Sequence, residues 1–353
     1  MDYTFKDLLR ASIAYSASDL HLTVGVPPML RISGIFKKYP KDPLTAEQAK
    51  ELINSMLTED QKARLERNGE VDFCFSFAGN RFRVNAYSQK GYYAAAVRMI
   101  NNVMRSFNEL GLPDTFRSLC MKSRGLILVT GPTGSGKSTT LASMIDYINS
   151  NRSAHIITIE DPIEFYHNHK KCIVNQREIG QDTKSFANAL RAALRQDPDV
   201  IQVGEMRDLE TISTALTAAE TGHLVLSTLH TNNASSTIDR IVDVFPSHQQ
   251  AQVRFQLSNV LQAVISQQLL PKADGTGRVV AIEVMQQHSA ISALIREGKT
   301  NQIDNTIASS GSKGMILMDK SLANLVRSGM VSYEEALMHC INVEDFKRKV
   351  NEY

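Results

Sequence analysis

Two rhythms of apolar and polar residues divide the chain. From residue 1 to about 100, a helical stripe of Phe5, Leu8, Leu9 and Ile13 gives way to short stretches in which apolar and polar residues alternate. DLHLTV, MLRISGIF, VDFCFSF, RFRVNAY and YYAAAVRMI carry the period of two that half-buried strands require. Between them, TAEQAKELINSML opens with Thr45 and places Gln48 where a reciprocal N-terminal helix cap needs it. A small α+β domain is expected over 1–100.

SFNELGLPDTF follows, and its Gly111 and Pro113 oppose continuous helix, so 101–118 is expected to be a hinge. From 119 to 287 compact β-branched stretches alternate with helical ones: GLILVT, a helix from about Gly136, HIITIE, a helix at SFANALRAALR, VIQVGE, a helix from Leu209 to Ala219, and HLVLST. That alternation calls for crossover connections and a mostly parallel sheet covered on both faces, an α/β core. Beyond Phe245 the pattern reads as helical through SHQQAQVRFQLSNVLQAVISQQLL, with a short strand pair around RVVAIEVM. Helices near 288–297, 300–309, 316–328 and 332–339 make 288–353 a helical carboxy-terminal region. No internal repeat interrupts this order.

Composition narrows the function classes. A chain of 353 residues, 42% hydrophobic and 22% charged, is globular and long enough for two domains. Its formal charge of +2 offers no global attraction to nucleic acid, so no nucleic-acid partner is expected. Cys74, Cys120, Cys172 and Cys340 form no CxxC pair, which argues against a zinc ribbon or disulfide framework and for a reducing cytoplasm. MDYTFKDLLR lacks the apolar core of a signal peptide, and apolar stretches such as GLILVTG are far shorter than a membrane span. Membrane association is expected only through a partner.

The chemistry concentrates in GPTGSGKST, residues Gly131, Pro132, Thr133, Gly134, Ser135, Gly136, Lys137, Ser138 and Thr139, between an apolar strand and a helix. Glycines there let backbone N–H groups turn onto phosphate oxygens, Lys137 reaches the β/γ-phosphates, and the Ser138 hydroxyl suits Mg²⁺. ATP and Mg²⁺ are the expected ligands. Hydrolysis also needs an acidic group at a neighbouring strand tip, and VIQVGE supplies Glu205 for polarising water, with a water-mediated role at the metal. Gly204 stands where an aspartate is usual.

HIITIEDPIEF ends in Glu160 and Asp161, of which strand parity lets only one face the nucleotide; Glu160 is favoured over a purely solvated turn. In TGHLVLSTLHTN the strand is expected to end near Ser227, leaving Thr228 and His230 by the γ-phosphate and turning His223 to another element or subunit. Isolated histidines are more often structural than catalytic. His167 and His169 could share a strand face, yet nothing beside them completes a metal site. Arg81, Arg83 and Arg98 lie in the amino-terminal strands; from spacing alone they read as a solvated basic face, although a guanidinium from another subunit can stabilise a transferring phosphoryl group.

In this order GPTGSGKST, TIEDPIEF, VIQVGEMRD and TGHLVLSTLHTN resemble the Walker A, Asp box, Walker B and His box of the secretion and pilus ATPase superfamily, the GspE/PilT family. ASDLHLTVGVPPMLRISG, NRFRVNAY, LRQDPDVI and SALIREGKTNQI narrow the resemblance to its type IV pilus retraction ATPases, over essentially the whole chain. The resemblance implies a homohexamer in which each subunit joins an amino-terminal PAS-like domain to a RecA-like P-loop core and a helical carboxy-terminal region. It implies ATP hydrolysis coupled to pilin removal and twitching motility, and an inner-membrane pilus platform protein as partner. It allows a paralogous retraction ATPase as another. It moves Arg81, Arg83 and Arg98 from a bland face to catalytic candidates, and it makes Gly204–Glu205 an ordinary pair.

One departure stands out: the family's AIRNLIRE reads AISALIRE here, with Ser292 and Ala293 in the middle, an altered surface in a segment associated with retraction. Competing readings are a pilus assembly or type II secretion ATPase, a nucleic-acid motor and a non-hydrolysing accessory subunit. The first usually carries a tetracysteine insertion that is absent from these residues.

Overall fold

The structure, a computed structural model, describes residues 3–32, 34–39, 42–100 and 104–352. The start of the expected hinge, 101–103, lies outside the described residues. The chain divides into two compact units, 1–103 and 104–353.

In the first unit, helix α1 (Phe5–Ala14) precedes strands β1 (Asp19–Leu22), β2 (Met29–Ile32) and β3 (Ile35–Lys38). Helices α2 (Ala46–Asn54) and α3 (Glu59–Asn68) lead to β4 (Glu70–Phe77), β5 (Asn80–Gln89) and β6 (Tyr92–Ile100). The strands form one antiparallel sheet in the order β3-β2-β1-β6-β5-β4. Thr45 Oγ1 accepts from the Gln48 amide at 3.2 Å while Gln48 Oε1 accepts from the Thr45 amide at 2.9 Å, so α2 starts where its cap dictates. Helix α3 was not expected, although Thr58 and Gln61 repeat the same reciprocal cap. Leu8, Leu9, Leu20, Ile53, Phe82 and Val84 belong to the core this sheet shares with the helices.

The second unit starts with α4 (Thr115–Cys120), β7 (Gly125–Thr130), α5 (Lys137–Asn151), β8 (His155–Glu160) and β9 (Ile173–Glu178). It continues through α6 (Phe186–Ala193), β10 (Val200–Val203), α7 (Leu209–Glu220), β11 (Leu224–Leu229), α8 (Ala234–Asp243) and α9 (Ser247–Val260). Strands β12 (Leu261–Pro271) and β13 (Arg278–Gln286) precede α10 (Ser289–Glu297), α11 (Ile303–Ser309), α12 (Met318–Arg327), α13 (Tyr333–His339) and α14 (Val343–Asn351). The sheet order is β13-β12-β7-β11-β10-β8-β9, parallel except for β13. Leu126 and Leu128 pack on one face and Ile127 and Val129 on the other, which is why GLILVT is apolar without alternation. Phe107, Leu112 and Phe116, within the expected hinge, are buried in this unit.

Three local expectations need correction. The helix at Ser247 stops at Val260, and LQAVISQQLLP is strand β12, parallel to β7 and antiparallel to β13. Its buried apolar cluster suits either element by itself, and pairing with two strands decided the outcome. β11 runs on through Thr228 to Leu229 rather than ending near Ser227, because every residue of it pairs with β7. His167 and His169 sit in irregular backbone before β9, so they share no strand face. β9 escaped notice because it is a polar edge strand in which Ile173 is exposed.

Candidate nucleotide site

Parallel strands deliver their carboxyl ends to one side of a sheet, and here adjacent ends carry the expected groups. Thr130 closes β7 before GPTGSGKST, His230 follows β11, Gly204 and Glu205 follow β10, and Glu160 closes β8.

The glycine-rich turn is shaped by its neighbours. Gly131 has φ +137°, and a Cβ there would lie 2.3 Å from the Gln267 carbonyl of β12 and 2.7 Å from Ser135 Oγ. No side chain fits between turn and strand. Ser135 Oγ is itself buried with no hydrogen-bond partner among the described residues. Lys137 opens α5 and is 9% exposed; its Nζ donates to the carbonyls of Gly131 at 2.8 Å and Pro132 at 2.9 Å. Burial lowers the proton affinity of Lys137, while the carboxylates of Glu205 and Glu164 act in the opposite direction. Ser138 and Thr139 lie in the first turn, where the free N–H groups of a helix favour anions.

Glu205 is tied to Arg207 Nε at 2.7 Å and lies 3.5 Å from His230 Nε2. Gly204 packs closely against β8, where a Cβ would stand 3.2 Å from the Ile159 carbonyl. Thr228 Oγ1 donates to the Gly204 carbonyl at 2.6 Å, fastening β11 to the turn that bears Glu205. Glu160 accepts from Thr158 Oγ1 at 2.6 Å and Gln176 Nε2 at 3.2 Å, and burial raises its carboxyl to about 7. Asp161 beside it is exposed. Glu164, a few residues further on, was not singled out from the sequence; it is exposed and its charge acts on both Lys137 and Glu160.

His223 turns its Nδ1 to the Ala218 carbonyl at 2.9 Å, at the end of α7. Around the other histidine pair, His169 Nδ1 accepts from the Val174 amide and burial lowers His167 to about 4. No group of three metal-ligating side chains occurs among the described residues. In the first unit, Arg83 and Arg98 stand opposite each other on β5 and β6, facing Asp72 at 3.8 Å and Asp19 at 2.8 Å, while Arg81 is buried. Ser292 is buried too: its Oγ donates to the Ser258 carbonyl at 3.0 Å, so at this position AISALIRE changes the packing of α10 on α9 rather than the surface.

Comparison with known proteins places the geometry among relatives. The sequence model of the type II/IV secretion system protein family matches residues 5–337. The type IV pilus retraction ATPase PilT of Pseudomonas aeruginosa is 52% identical over 337 residues, 95% of this chain and 97% of its own. A twitching motility protein of Neisseria gonorrhoeae is 48% identical over 343 residues, 97% of this chain and 92% of its own. The crystal structure of the pilus retraction motor PilT with bound ADP aligns with a TM-score of 0.93 at 52% identity, covering 98% of this chain and all of that one. The expected α/β ATPase fold is borne out. No described helix is long and apolar enough to cross a membrane.

Proposed function

Because this chain belongs to the type II/IV secretion system protein family, we propose that it is an ATPase motor that retracts type IV pili. The observation that carries this reading is that Lys137, opening α5 after β7, and Glu205, after β10, lie at the carboxyl ends of strands separated only by β11, with the charge of Glu205 acting on Lys137, in a chain alike over its length to a retraction ATPase. Amides of the 131–137 turn and the start of α5 receive the phosphates. The Lys137 ammonium, which rests on loop carbonyls, exchanges them for phosphate oxygens. Glu205, oriented by Arg207 and His230, accepts the proton of the attacking water. Glu160, its carboxyl raised by burial to about 7, hydrogen-bonds Thr158 and Gln176 at the end of β8, and the charge of Glu164 adds to that of Glu205 in favouring the ammonium form of Lys137.

Ser138 and Glu205 offer only oxygen donors, and among the described residues no cluster of three ligating side chains surrounds them, a set that suits Mg²⁺ shared with phosphates. When bound, that ion offsets charge on the phosphate oxygens. A homohexamer would bring the exposed Arg83 and Arg98 to a neighbouring subunit's nucleotide, whereas Arg81, expected beside them, is buried and acts within its own unit. The motor works at the cytoplasmic face of the membrane, docked on a pilus platform protein, with a paralogous ATPase as a further partner.

Purified chain and two variants test this directly. Glu205→Gln is expected to lose about 10²–10⁴-fold in ATP turnover, and Lys137→Ala to bind nucleotide poorly. A Lys137→Ala strain should accumulate surface pili without twitching. Loss of all surface pili would instead identify an assembly motor, and undiminished turnover by Glu205→Gln would remove it as the base.

A further inference from the structure

β13 carries a buried acid that the nucleotide site does not use. Glu283 is 2% exposed, and its two oxygens serve different helices: Oε1 accepts from the Ala234 amide at 2.7 Å and Oε2 from the Met318 amide at 3.3 Å. Ala234 opens α8 directly after the loop bearing His230, and Met318 opens α12 in the carboxy-terminal region. Helix starts expose N–H groups that need an acceptor, and Leu317, the cap residue of α12, supplies none from its side chain.

The line extends both ways. Glu283 stands opposite Ser266 of β12, whose hydroxyl lies 2.8 Å from that of Thr130, the residue before the glycine-rich turn. Beyond Met318, Asp319 accepts from the amides of Ile341 at 2.7 Å and Asn342 at 2.9 Å, and Asn342 caps α14.

We propose that Glu283 is a positioning residue that clasps the start of α8, and with it the His230 loop, to the start of α12, so that nucleotide occupancy and the arrangement of the carboxy-terminal helices change together. The proposal rests on the nucleotide-site reading above. A ligand shifts a distant element only if some contact differs between the two arrangements, and this carboxylate is the contact both helices share.

Glu283→Gln isolates the effect, because an amide keeps the shape but has one acceptor oxygen and presents a donor to the second N–H. Amide hydrogen exchange of the full chain with and without ADP is the test. In wild type, ADP should slow exchange at 231–237 and at 318–322 together, by roughly five- to tenfold, the lower range of ordinary coupling. In Glu283→Gln the protection at 318–322 should disappear while that of 131–139 remains, and kcat should fall roughly tenfold with KM held within about twofold. A merely structural Glu283 would speed exchange at both helices without altering the response to ADP. Wild-type protection confined to 131–139 and 231–237 would overturn the clasp, as would Glu283→Gln with an unchanged ADP response and kcat. If the variant does not fold, the wild-type comparison decides. A wild type that binds ADP yet hydrolyses no ATP would defeat the ATPase reading while leaving the exchange comparison intact.

Discussion

Glu160 shows how far a side chain's surroundings can move its chemistry. Desolvation dominates and raises its carboxyl to about 7, against hydrogen bonds from Thr158 and Gln176 that favour the charged form. Unfolded, it would titrate near 4.5. The folded chain therefore binds the extra proton between these values, and this contribution to stability falls as pH rises from about 4.5 to about 7. Glu160→Gln cannot titrate. Its thermal midpoint should drop less than that of wild type between pH 5 and 7.5, a difference worth about 1–3 kcal/mol; parallel curves would put the proton elsewhere. Strand parity lets only one of Glu160 and Asp161 face the nucleotide, without choosing between them. Glu164 stayed hidden because it follows Pro162 in irregular backbone, where no period says which way a side chain turns.

Between elements, the glycine-rich turn lies close against β12. A methyl group at Gly131 would meet the Gln267 carbonyl at 2.3 Å, and that strand is further held by Gln267 Nε2 donating to Thr140 Oγ1 at 2.8 Å. Turn and strand cannot both stay in place. Gly131→Ala should leave the fold intact but weaken ADP binding by about 1–3 kcal/mol, the usual scale of local backbone strain, as titration calorimetry would read. Wild-type affinity would mean that the turn relaxes freely. The wall responsible, β12, is the stretch whose pattern read as helix, since the mixed apolar and polar residues of VISQQLL show no clean alternation and pairing with β7 and β13 makes it a strand.

At the scale of the molecule, the buried clusters are separate. The core around Leu8, Ile53 and Val84 lies wholly in the first unit, and those flanking the seven-stranded sheet lie wholly in the second. Every strand-end group of the nucleotide site belongs to the second unit. Chemical denaturation is therefore expected to show two transitions, with ADP at about 100 times its Kd stabilising only one, by roughly 2.7 kcal/mol. Equal displacement of both, or a single merged transition, would show the units to be energetically one.

Local chemistry was readable without coordinates. The phosphate cradle, the cap of α2 and the apolar strands of the parallel sheet each depend on residues close together in the chain, where backbone geometry and side-chain period act directly. Only tertiary packing made LQAVISQQLLP a strand, buried Ser292, set the charge of Glu164 where it acts on Lys137 and gave Glu283 a helix on each oxygen. Those outcomes rest on burial and on contacts between segments remote in sequence, and a linear order of residues carries no distance between them.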